Sequence, residues 1–142
     1  MKISIEQLKE TFKYERITEY ILDEYHRFDI LPDDLSLPKA YMAFSVYEND
    51  YFLIQAGFGK WHDHFDSSDD DDKNINDALN FFKNLIDGMF YLIEMVDENG
   101  NYKGGAIVDV RSPLSSNMQQ SNFFDNKNYR SRKVMFNKPI ND

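Results

Sequence analysis

Phe90-Tyr91-Leu92-Ile93-Glu94-Met95-Val96-Asp97-Glu98-Asn99-Gly100-Asn101-Tyr102-Lys103-Gly104-Gly105-Ala106-Ile107-Val108-Asp109-Val110 reads as a β-hairpin. Both arms, 90–96 and 101–110, are rich in aromatic and β-branched side chains, which suit a pleated, half-buried surface. Asn99-Gly100 between them is the chemistry of a tight turn, because both residues tolerate positive φ. Gly104-Gly105 inside the second arm predicts a bulge or the close approach of another group. Arms joined by so short a turn must run antiparallel.

Working backwards, Ala78, Leu79, Phe82, Leu85 and Ile86 recur at helical spacing. Asn76 is positioned to cap this helix and Gly88 to end it. Before it, Ala40–Val46 and Tyr51–Phe58 flank Glu48-Asn49-Asp50 as a second hairpin. Pro32 and Pro38 mark residues 30–38 as a connecting loop. At the start, Ser4-Ile5-Glu6-Gln7 has the form of a capping box. Ile5, Leu8, Phe12, Ile17, Tyr20, Ile21 and Tyr25 then predict a helix over 4–26. Beyond the first hairpin, the Ser-, Asn- and Gln-rich stretch 111–131 predicts a loop, and Arg132–Phe136 a final strand. The order is α-β-β-α-β-β-(β). It gives an α+β fold in which an antiparallel sheet of four to five strands packs against two helices. The chain's 142 residues fit one domain, 1–142.

The absence of Cys excludes disulfides, thiolate metal sites and a cysteine nucleophile. The start of the chain turns polar at once, and no apolar run has the length of a bilayer span, so a cytoplasmic protein is expected. The net charge of −9 is uneven. Residues 122–142 carry Lys127, Arg130, Arg132, Lys133 and Lys138 against Asp125 and Asp142, so the acidity belongs to residues 1–121. An acidic body repels nucleic acid and anionic lipid and attracts basic proteins. No nucleic-acid or membrane partner is therefore expected.

The chemistry-bearing residues concentrate between 61 and 80. Trp61-His62-Asp63-His64-Phe65-Asp66 holds the only Trp and two of the three His. If the strand continues through it, His62 and His64 share one face, while Trp61 and Phe65 close the core on the other. His62, His64 and Asp66 are then the candidate ligands of a metal-dependent enzyme, although a third ligand must come from elsewhere. The simpler expectation is no metal and no cofactor. Asp63, Asp66, Asp69, Asp70, Asp71, Asp72 and Asp77 face only Lys73 in charge. The polar stretch 67–73 reads as a loop whose carboxylates stay in water, bind a cation, or dock on a basic protein surface. Of the last two the protein partner is favoured, and these seven Asp are the candidate partner-binding residues. Asp97-Glu98-Asn99-Gly100-Asn101 matches a calcium loop at three ligand positions, but Tyr102 stands where glycine is required. Gly59-Lys60 lacks the other residues of a phosphate-binding loop, and no Gly-x-Ser-x-Gly elbow exists.

The strand ending in Trp61-His62-x-His64-Phe65-Asp66, the polar loop, and the helix Ala78-x-x-Phe81-Phe82-x-x-Leu85-Ile86-x-Gly88 resemble small bacterial immunity proteins of toxin–immunity systems. The resemblance covers residues 51–88, about a quarter of the chain. It implies a non-catalytic cytoplasmic protein that binds one cognate toxin, such as a basic nuclease, and occludes it. An acidic inhibitor that mimics nucleic acid would use the same physics.

Overall fold

The computed structural model describes residues 3–47, 50–112 and 128–137. Two helices and eight strands follow one another as α1 (Ile5–Phe12), β1 (Ile17–Leu22), β2 (Tyr25–Ile30), β3 (Ala40–Tyr47), β4 (Asp50–Phe58), β5 (Trp61–Asp63), α2 (Asp71–Ile86), β6 (Phe90–Val96), β7 (Tyr102–Asp109) and β8 (Arg130–Val134). The fold is α+β, with antiparallel pairing throughout. The strands form a sheet ordered β1-β2-β3-β4-β5 and a second ordered β7-β6-β8. Most of the stretch 111–131, expected as a loop, lies outside the described residues.

The hairpin around Asn99-Gly100 forms as its sequence dictates. Gly100 adopts φ 81°. The Asp97 carboxylate accepts the N–H groups of Asn99 and Asn101, both at 2.9 Å. The bond from Asn101, more than the one from Asn99, holds this carboxyl below the usual range. The turn itself therefore occupies the carboxylate that resembled a calcium ligand. The Gly104-Gly105 signal meets both of its expectations. The register shifts opposite Met95/Val96, with Gly104 at φ 143°. A Cβ on Gly105 would come within 2.9 Å of the Leu92 side chain.

The predicted first helix is cut short. Ser4 caps it, its hydroxyl accepting the Gln7 N–H at 3.1 Å, but Lys13 turns left-handed (φ 53°) and the chain leaves the helix after Phe12. Ile17–Leu22 and Tyr25–Ile30 are strands joined through Asp23-Glu24. Ile17, Tyr20, Ile21 and Tyr25 satisfy a helical period, yet they are the β-branched and aromatic types that lose least on a pleated sheet. The five-stranded sheet supplies the cross-strand partners that tip the balance.

Successive side chains on a strand alternate between faces. On the inner face of the larger sheet, His26, Phe28 and Ile30 of β2 lie in register with Phe44, Met42 and Ala40 of β3, and all six are buried. Those of β3 lie beside Leu53, Ala56 and Phe58 of β4. Leu8 and Phe12 of α1, and Ile75, Ala78, Phe81, Phe82 and Leu85 of α2, join this cluster, as do Leu92 and Phe136. One main core thus reaches from the helices to the smaller sheet, whose other face carries Ile93, Met95 and Val108. Among the described residues no helix is long and apolar enough to cross a membrane.

Candidate functional site

The remaining positions of β1–β4 form the outer face of the larger sheet: Thr18, Tyr20 and Leu22; Tyr25, Arg27 and Asp29; Tyr41, Ala43 and Ser45; Phe52, Gln55 and Gly57. Neither helix places its buried residues there, and Tyr20, Leu22 and Phe52 are exposed. Four aromatic rings and a guanidinium on an open sheet are the residue types enriched at protein interfaces.

These side chains are held in place. Gly57 has no Cβ because the Tyr41 ring lies where one would go. The Arg27 guanidinium stacks 4.1 Å from the centre of that ring, a cation–π contact across neighbouring strands. Arg27 Nε donates to Asp29 Oδ1 at 2.6 Å, and Lys39 Nζ donates to Oδ2 at 2.7 Å. Asp29 is only 2% exposed, and two charge-assisted bonds compensate its burial. Burial opposes the charge on Arg27, but the hydrogen bond and negative charge of Asp29, with a smaller contribution from Tyr25, together outweigh it and raise the guanidinium pKa. Burial likewise lifts the Tyr41 hydroxyl above the ordinary tyrosine value. The centre of the face is therefore a packed layer of Gly57, Tyr41, Arg27 and Asp29, flanked by the rings of Tyr20, Tyr25 and Phe52.

The acidic segment borders this face. β5 stops at Asp63, so His64 leaves the strand and the common face expected for His62 and His64 is not continued. Trp61 packs on Phe81 at 5.4 Å and Phe65 on the same ring at 5.6 Å, both half-buried at the margin of the core. His62 and His64 are exposed, with ring centres 6.4 Å apart. Among the described residues no three His, Asp or Glu side chains gather so as to hold a metal ion. Instead His64, Asp66 and Asp71 line a depression of about 360 Å³ together with Phe52, Ile54 and Asn74.

The run Asp69–Asp72 was expected in a loop and Asn76 as the helix cap, but the helix starts earlier. Asp70 is the cap, accepting the N–H groups of Asp72 at 3.0 Å and Lys73 at 3.4 Å. Asp71 and Asp72 occupy the first turn, where the exposed N–H groups and the helix dipole favour negative charge. Lys73 pairs with Asp77 four residues on, at 2.8 Å. Of the seven Asp, then, Asp70 is a cap, Asp77 is paired, Asp66 and Asp71 line the depression, and Asp63, Asp69 and Asp72 are exposed. Replacing Asp70 by Ala is expected to lower stability by about 1 kcal/mol in urea melts. Asp69→Ala, which removes no cap, should change it by less than about 0.5 kcal/mol.

Sequence reading missed the outer face because Tyr20 and Tyr25 were placed on a helix. Alternation of Tyr25, Arg27 and Asp29 with His26, Phe28 and Ile30 was the signal that could have found it. No family model, curated protein or solved structure matches the chain.

Proposed function

We propose that this chain is a non-catalytic binding protein that neutralises a protein partner by covering it, as the toxin-neutralising member of a toxin–immunity pair. The outer face of the larger sheet is the docking surface. The observation that carries this reading is the packed layer of Tyr41 on Gly57 and Arg27 on Tyr41, pinned by Asp29. Rings and a guanidinium fixed before binding lose little conformational freedom on contact, so more of their buried area becomes affinity. The carboxylates around Asp66 and Asp71 lie next to Phe52 and favour a basic partner by steering its approach.

The product of the gene adjacent to this one is the first partner to test. It should arrest growth when expressed alone, and co-expression of this chain should restore growth. Rescue should fail with Tyr41→Ser. An adjacent product that is harmless, or rescue indifferent to Tyr41, would reject the reading.

A further inference from the structure

Among the described residues the two sheets present four edges, and three are blunted. β5 has three residues. β8 exposes Arg130, Arg132 and Lys133. β7 carries Lys103 and the irregularity at Gly104. Charge, shortness and bulges are the usual means by which edges avoid further pairing. β1 is neither short nor bulged, and its one charge, Glu19, is taken up by His26 at 2.9 Å. It pairs with β2 over all six residues without a bulge, and no described strand pairs with its other side. Between Ile17 and Leu22 there is no Lys, Arg or Pro, and Tyr20, Ile21 and Leu22 are 46%, 70% and 64% exposed.

The surroundings of this edge differ on its two sides. Tyr20 and Leu22 share the outer face with Tyr25, beside a depression of about 590 Å³. Glu19 and Ile21 point to the opposite side, where they line a second depression of about 530 Å³ with Glu6 and Asp23. Positive charge near the strand is already engaged: Arg27 and Lys39 pair with Asp29, and Arg16 lies 3.6 Å from Asp33. His26 contacts Glu19 at 2.9 Å, while Glu6 and Asp23 have no ion pair among the described residues. An added strand would therefore meet Tyr20, Leu22 and Tyr25 on one side, and on the other Ile21 together with the carboxylates of Glu6, Glu19 and Asp23.

We propose that the free edge of β1 accepts an extended segment of a protein partner as a sixth strand, and that this segment alternates apolar residues with Lys or Arg. Main-chain hydrogen bonds to β1 hold it, and the two unlike sides read its alternation. This rests on the reading of the chain as a protein-binding module and names the chemistry of what it binds.

The probe is a short peptide alternating valine and lysine, titrated into the full chain with amide NMR and hydrogen exchange as readouts. Amides of Thr18–Leu22 should shift, and those pointing away from β2 should exchange about tenfold more slowly or better, as new ladder bonds require. A peptide with glutamate for lysine, and one with its lysines and valines in separate blocks, should leave these amides unmoved. Ile21→Lys gives the edge the charge other edges carry, at a site too exposed to matter for folding, and should weaken the alternating peptide about tenfold or more. Equal binding of either control peptide, no response at β1, or indifference to Ile21→Lys would overturn the proposal. So would a dimer in sedimentation that Ile21→Lys abolishes, since the edge would then belong to a second copy. Peptide binding without binding of the adjacent gene's product would sink the neutralising role alone, and the converse would sink the added strand alone.

Discussion

Arg132→Ala should lower folding stability by about 3 kcal/mol, the low end of the range for stranding one member of a buried ion pair. Glu94 is 3% exposed on the central strand of the smaller sheet. Arg132 lies opposite it in the β6–β8 register and donates to Oε1 through Nε at 3.1 Å and through Nη2. The Arg132 side chain is itself mostly in solvent, so its truncation removes little packing. The loss comes from a carboxylate left buried without its cation. The double variant Arg132→Ala/Glu94→Leu should recover most of the stability, because both charges are then gone. A loss below about 1 kcal/mol in the single variant, where surface changes usually fall, would show that the carboxylate reaches water.

Phe82→Ala is expected to cost about 3–5 kcal/mol, the range for truncating a buried aromatic ring. Phe82 has no exposed surface. Its ring lies 6.4 Å from Phe12 and 5.1 Å from Phe81, joining α1 to α2. Phe52→Ala provides the contrast. That ring lies on the outer face, and its loss should cost less than about 1 kcal/mol. Urea melts giving the two variants similar losses would mean that Phe52 is a core residue and the outer face is not free.

How much of this was legible depended on whether a local rule or a distant partner decided each element. The hairpin at Asn99-Gly100 and the end of α2 at Gly88 were legible because their causes are local. Asn-Gly favours the turn, and Gly88 (φ 79°) lets its own N–H and that of Met89 reach back to Leu85 and Asn84. The start of α2 is also set locally, by the capping carboxylate of Asp70, but within a run of four Asp that signal is indistinguishable from a charged loop. β1 and β2 were not legible in the same way. Ile17, Tyr20, Ile21 and Tyr25 fit a helical stripe, and only pairing of Tyr25–Ile30 with Ala40–Ser45 decides for strands. That misassignment hid the candidate site. Tyr41 and Gly57 are 16 positions apart in the sequence and touch only because β3 and β4 pair. Asp66 and Asp71 stand out by composition alone, whereas their common depression with Phe52 depends on the folded arrangement of β4 and α2.

The most direct test is the affinity of the purified chain for the adjacent gene's product, by calorimetry, for wild type, Tyr41→Ser and Phe52→Ser. Each variant would first be shown by thermal melting to be folded. If the outer face is the docking surface, Tyr41→Ser should cost about 2 kcal/mol or more, roughly a 30-fold loss, as central interface aromatics do, and Phe52→Ser, at the border, a smaller but measurable loss. Replacing Asp66, Asp69, Asp71 and Asp72 by Asn should chiefly slow association, by an amount that shrinks as salt is raised. Affinity unchanged in both aromatic variants would contradict the account and move the interface off this face.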